Sequence, residues 1–370
     1  MATTSVAGVD SVQREPAEPP ESRKWLVVLF IAFASLMTLL IVTGETGPGA
    51  LRDSNPTATH VVDGYPRANP PLLGFEYWPQ LWQAIGFGGA AILLIVFGMK
   101  SWRARRMHNG LVVTFAAGGM MAFDPLYNWL GYFPTDPRFL HIPHGATPWS
   151  DLAPTFEPVF FWPLYMLWLT APALLAHWVW TKLRDRARRR KGPGTWMQRH
   201  PLLSLLLVCK LVTLPLDWGG FRLGILTDAF IFSQAPGPLV SAGHTSQMQL
   251  LWEPILFPLT IMATSLLFYR DSEGRTLHGR AARKVRTFVR FPRLTEFVVA
   301  WSIIALSYVI CLSGMAVLRF TGQADELARP WPYQDTQVYD PDGLYQQSGE
   351  PGLKRTGSGD FDLIRPVIPK

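Results

Sequence analysis

The chain has 370 residues, of which 48% are hydrophobic and 13% aromatic but only 16% charged, with two cysteines. Soluble domains average about one quarter charged residues, so this composition excludes a disordered chain, a coiled coil and a small disulfide scaffold. The formal net charge of +7 and a sequence pI near 9.5 raise nucleic-acid binding, which the placement of that charge decides.

Mean hydropathy is a modest +0.13, so the apolar residues matter through their clustering. Residues 1–24 are polar, with Pro and Glu, and read as a disordered cytoplasmic tail. A membrane helix needs about 20 apolar residues, since the hydrocarbon layer is about 30 Å thick and each residue rises 1.5 Å. Seven stretches meet this expectation: residues 25–43, 81–99, 110–131, 155–181, 201–221, 251–269 and 296–318. Soluble helices of that length would carry a polar face, and these mostly do not. The first stretch lacks a following A-x-A site and reads as an uncleaved signal anchor. Residues 319–370, rich in Pro, Gly, Asp and Tyr, form a tail beyond the last stretch. The expectation is an all-α, polytopic helical bundle of about seven spans in the cell membrane, occupying residues 25–318.

Basic residues set the orientation. Lys100, Arg103, Arg105 and Arg106 follow the second stretch, a run over 182–191 follows the fourth, and eight more over 270–293 follow the sixth. The alternate loops hold only Arg52 and Arg67, then Arg138, then Arg222. The positive-inside rule then puts the amino terminus inside and the carboxyl tail outside. The positive excess marks helix ends and attracts anionic lipid rather than nucleic acid. Cys209 and Cys311 fall in apolar stretches and suggest packing, with no CxxC motif.

A parallel internal repeat spans residues 110–181 and 201–269. In the first unit a stretch ends Asp124-Pro-Leu-Tyr-Asn128-Trp, a loop carries His141 and His144, and a helix begins at Glu157-Pro. In the second, a stretch ends Leu216-Asp217-Trp-Gly-Gly, a loop carries His244, and a helix begins at Glu253-Pro. The two Asp are 93 positions apart and the two Glu 96. Two helices separate the units, so both have the same orientation. Asp124, Glu157, Asp217 and Glu253 are thereby expected at one depth near the outer leaflet. Ionisable groups within a span are costly and usually face a cavity. Neighbouring acids in different environments can divide general-acid and general-base work.

Plainer readings compete. Glu-Pro suits a helix start, and Asp-Pro marks a turn. Asn128 lies one turn beyond Asp124 and shares its face. His144 and His244 are candidates for substrate hydrogen bonding; their spacing fits no zinc signature, so no metal is assigned. Lys210, two turns before Asp217, could pair with an acid or line a polar path. A retinal Schiff base is excluded because the seventh stretch has no Lys. Trp149 and other tryptophans near the outer interface form an aromatic belt or line an apolar pocket.

These motifs resemble the AveC-type spirocyclase family of actinobacterial membrane proteins. The similarity rests on Asp124-Pro-x-x-Asn128, His144-Gly-x-x-x-Trp149, Glu157-Pro, Glu253-Pro and the tail Trp331-Pro-Tyr-Gln-Asp-Thr-Gln-Val-Tyr-Asp-Pro-Asp-Gly. The resemblance implies a multi-pass enzyme that closes a dihydroxy-ketone into a spiroketal and can also dehydrate the product. It implies a cofactor-independent spirocyclase or cyclodehydratase acting on a bulky apolar, polyketide- or lipid-like substrate. The alternatives are a transporter or lipid-binding protein, and an envelope-assembly partner contacting others through the carboxyl tail. Polar residues along a whole path would favour transport.

Overall fold

The computed structural model describes residues 23–46, 72–131, 133, 135–136, 138–143, 146–153, 157–227, 229–230, 234–235, 256–285, 290–320 and 326–327. The long helices are α1 (Arg23–Thr43), α2 (Trp78–Ala104), α5 (Phe161–Lys191), α7 (Pro201–Leu226) and α10 (Pro292–Phe320), with shorter α3 (Asn109–Gly118), α4 (Asp124–Leu130), α6 (Trp196–Arg199), α8 (Pro258–Leu266) and α9 (Leu277–Ala282) between them. Two strand pairs are each only two residues long: β1 (His141–Ile142) with β2 (Glu157–Pro158), and β3 (Gln234–Ala235) with β4 (Glu326–Leu327), both antiparallel.

Among the described residues, five segments are long and apolar enough to cross a membrane: Leu26–Thr43, Trp78–Ala104, Asn109–Leu130, Pro201–Leu226 and Pro292–Val317. The expectation of seven differs at two places. Helix α5 has the length, but its Trp, Pro and His residues dilute its hydropathy and its last turns are basic. Those Arg and Lys residues suit the negative end of the helix dipole. Helix α8 is described over nine residues, and residues 251–255 before it lie outside the described set, so the sixth expected span is seen only in part.

Helix α5 is the hub, packing against α2, α3, α7 and α8, while α10 closes the far side of α3 and α8. The core runs through Val113, Ala117, Met120, Leu169, Cys209, Ile261 and Ile304, all buried. Helices α1, α2, α5, α7 and α10 also turn large apolar side chains outward, such as Ile92, Leu211 and Leu306. Lipid tails are as apolar as leucine, so burying such residues against protein gains little; close packing and hydrogen bonds must hold the bundle. Tryptophan and asparagine side chains supply cross-links: Trp82 Nε1 donates to Thr227 Oγ1 at 3.0 Å, Asn109 Nδ2 to the Leu267 carbonyl at 3.0 Å, and Trp180 Nε1 to Ser204 Oγ at 2.9 Å.

The third segment is not one α-helix. Residues Gly119–Phe123 form a 3₁₀ stretch between α3 and α4. It is braced from α10, where Trp301 stacks on Phe123 and donates Nε1–H to the Gly119 carbonyl at 3.3 Å. A Cβ on Gly119 would lie 2.7 Å from the Trp301 ring, so glycine is required for this approach. After α4, the chain is pinned by Asp136. Its buried carboxylate takes the guanidinium of Arg138 at 2.6–3.1 Å, and its backbone N–H donates to the Ala229 carbonyl beyond α7.

Candidate functional site

The 3₁₀ stretch delivers Asp124 to the first position of α4, with Pro125 next and Asn128 one turn on. Sequence spacing placed this Asp at a helix end; it instead heads a new turn, where the dipole favours an acid. Glu157-Pro158 likewise differs from expectation. It does not start a helix but forms β2, held by β1 in the register Ile142–Glu157 and His141–Pro158, three residues before α5.

These elements bring Asp124, Asn128 and Glu157 together. One amide bridges both acids: Asn128 Nδ2 donates to Asp124 Oδ2 at 2.9 Å and to Glu157 Oε2 at 3.2 Å. That shared amide holds the two carboxyls side by side in an apolar interior, an arrangement that disfavours two negative charges together. From α5, the Tyr165 hydroxyl donates to Asp124 Oδ1. From α10, the Tyr308 hydroxyl meets that of Tyr165 at 2.5 Å. All five residues are at most 8% exposed. Among the described residues, no Lys, Arg or His acts on either carboxyl. A buried acid pair without a cation is costly unless it shares protons and hydrogen bonds. The Asn128 carbonyl oxygen and Glu157 Oε1 still have no partner among the described residues.

Asp124 opens onto a cavity of about 60 Å³ whose other walls are almost wholly aromatic, including Trp82, Tyr127, Phe161, Trp168 and Phe257. That volume holds only a few waters. Asp217 is not among the lining residues. It is buried within α7, with nine residues of helix after it rather than at a helix end, and accepts a hydrogen bond from Trp168 Nε1 at 3.0 Å. Its Oδ2 has no partner among the described residues. Lys210, half-buried two turns earlier, attracts it electrostatically. The Trp168 ring therefore stands between Asp217 and the cavity. Trp149 is 44% exposed and donates Nε1–H to the Ala122 carbonyl at 2.8 Å, bracing the 3₁₀ stretch. His144, His244 and Glu253 lie outside the described residues. Among the described residues, no three His, Cys, Asp or Glu side chains gather as a metal ion would need.

Tyr165 and Tyr308 were not singled out by sequence reasoning. The available signal was a phenol inside an apolar stretch, because a buried tyrosine hydroxyl seeks a partner.

The helices and the acid–tyrosine network define an α-helical, membrane-type protein with a buried polar centre at an aromatic cavity. Residues 102–339, more than half of the chain, match the family model described as spirocyclase AveC-like. The chain belongs to the AveC-like spirocyclase family, and all five network residues fall within the match. No curated protein and no solved structure matches it.

Proposed function

We propose that this protein is a membrane-embedded spirocyclase or cyclodehydratase that works by carboxylate acid–base chemistry on a bulky apolar, polyketide- or lipid-like substrate. The observation that carries this reading is the buried Asp124–Glu157 pair, bridged by Asn128, with Asp124 set against an aromatic cavity; in this reading the pair shares one proton. Family membership supports the spirocyclase class.

Closing a dihydroxy-ketone into a spiroketal releases one water. One substrate hydroxyl first adds to the carbonyl, giving a hemiketal. The protonated carboxyl of the pair then gives its proton to the departing hydroxyl, and water leaves. The resulting oxocarbenium ion is stabilised by the carboxylate just formed and by the aromatic walls. The second substrate hydroxyl attacks that carbon, and the other carboxyl accepts its proton. The pair ends with the one proton it began with. Tyr165 and Tyr308 hold Asp124 in place and can relay a proton to it. Asp217 joins from behind Trp168, and Glu253, His144, His244, Lys210 and Trp149 complete the proposed substrate surroundings. The chain is proposed to span seven times, amino terminus inside, with the two repeat units parallel; the basic runs support that orientation.

The test uses the full chain in liposomes with a panel of apolar dihydroxy-ketones, following water loss by mass spectrometry. Asp124→Asn and Glu157→Gln are each expected to remove turnover while the protein stays folded. Retained turnover in both would sink the proposal. A transport reading gains its one support from Lys210, which lies mid-span two turns before the buried Asp217; substrate-driven flux across sealed liposomes without water loss would favour it.

A further inference from the structure

We propose that the cavity fills sideways from the lipid phase, through a mouth between α5 and α7 that the Trp168 ring closes. This rests on reading the cavity as the active site, and names the route and physical state of its substrate: an uncharged, apolar molecule dissolved in the bilayer.

The exposure of the lining shows where the opening lies. Nine of the twelve lining residues are at most 9% exposed. The three that are partly exposed are Leu164 and Trp168 on α5 and Gly220 on α7. Leu164 and Trp168 are one helical turn apart, on one face. Helices α5 and α7 pack side by side, so the three residues form one patch.

That patch faces hydrocarbon. Helix α7 has 26 residues, about 39 Å at 1.5 Å each, so it overhangs a 30 Å layer by roughly 4–5 Å at each end. Gly220 is six residues from its end, about 9 Å in, and hence inside the layer. Its neighbours Leu216 and Trp218 are exposed and apolar.

The patch is also where the wall can move. A ligand pocket usually measures roughly 300–1,000 Å³, so a 60 Å³ cavity must enlarge to take a bulky molecule. The Trp168 ring lies in a notch that only glycine offers: a Cβ on Gly220 would be 1.9 Å from Trp168 Cη2. Its indole N–H is tethered by one hydrogen bond, to Asp217. A ring seated over a glycine, packed edge-to-face on Phe221 and tethered by one hydrogen bond, can swing aside, widening the cavity toward lipid and bringing Asp217 into it.

The experiment places the full chain in liposomes and photolabels it with an alkyl diazirine that partitions into the bilayer, or with a water-soluble diazirine. Labelled residues are mapped by mass spectrometry. The lipid-phase probe is expected to reach the buried lining residues Phe161 and Phe257, as well as the openly exposed Leu211 and Leu306. Leu164→Trp should plug the mouth and cut interior labelling at least fivefold, leaving Leu211 and Leu306 labelled as before. Leu164→Ala should raise interior labelling. Interior labelling from the aqueous probe alone, none from either probe, or no response to the two variants would overturn the proposal. Asp124→Asn separates the two readings: it should abolish turnover but leave interior labelling unchanged, whereas retained turnover would strike the catalytic reading without touching the route.

Discussion

Asn128→Leu tests whether one amide organises the acid pair. The replacement has the same branched shape and the same number of side-chain heavy atoms, so it removes the two donated bonds, at 2.9 and 3.2 Å, without opening a cavity. A hydrogen bond to a charged group contributes about 1.5–3 kcal/mol and a neutral one about 0.5–1.5 kcal/mol. One acid of a proton-sharing pair is charged, so about 2–4.5 kcal/mol of organisation is lost. At 1.36 kcal/mol per tenfold, turnover should fall by about thirty- to two-thousandfold. Folding stability should fall as well, because Asp124 Oδ2 and Glu157 Oε2 lose their donor, but by less, because the variant also removes the Asn128 carbonyl oxygen, which has no partner among the described residues. The assay is turnover of the dihydroxy-ketone panel in liposomes, with thermal melting followed by tryptophan fluorescence. Ser302→Ala, an exposed position on α10, serves as the unaffected control. Turnover within threefold of the parent, with melting unchanged, would refute the idea that Asn128 sets the pair.

Further outcomes follow from the same geometry. Tyr165→Phe should slow turnover more than Tyr308→Phe, since only Tyr165 donates directly to Asp124; equal effects would argue against the order of the relay. Gly220→Ala should force the Trp168 ring out of its notch at a cost of about 1–3 kcal/mol, seen as a lowered melting temperature and altered turnover. Asp136→Asn should weaken the Arg138 pair and loosen the chain after α4 by about 1–3 kcal/mol, below the cost of a fully buried pair because Arg138 is partly exposed; hydrogen exchange at residues 135–139 would report it. His278, between the spanning helices, has its pKa lowered from 6.5 to about 4, first by burial and then by Arg270 and Arg293. The unfolded chain therefore takes up a proton that the folded chain refuses, and local stability should fall as pH drops from 6.5 toward 4. His278→Gln should flatten that limb in pH-dependent proteolysis near residues 276–282.

Much of this was legible from residue order alone. Long uncharged runs with outward apolar side chains declare helices for lipid, and scarce acids inside them stand out because they cost so much there. That reasoning found Asp124, Asn128 and Glu157, which do meet. It missed how they meet. Glu157-Pro158 reads as a helix start, yet backbone pairing with His141-Ile142, 16 residues earlier, makes it a strand. Asp217 looked equivalent to Asp124 by spacing, but Trp168, from another helix, screens it from the cavity. Tyr165 and Tyr308 come together across 143 positions, a distance over which periodicity carries no information.

The 3₁₀ stretch has a geometric consequence of its own. An α-helix advances 1.5 Å and turns about 100° per residue, whereas a 3₁₀ helix advances about 2.0 Å and turns about 120°. Five residues, Gly119–Phe123, therefore push the following turn about 2.5 Å further along the membrane normal and rotate it by about 100°. Asp124 and Asn128 swing through more than a quarter circle relative to the face an unbroken helix would give them. Trp301 acts as the stop that sets this azimuth, by gripping the Gly119 carbonyl and stacking on Phe123. A helical wheel drawn through the whole segment aims the acid at the wrong neighbour; in this fold, the direction of the chemistry is fixed by a change of pitch.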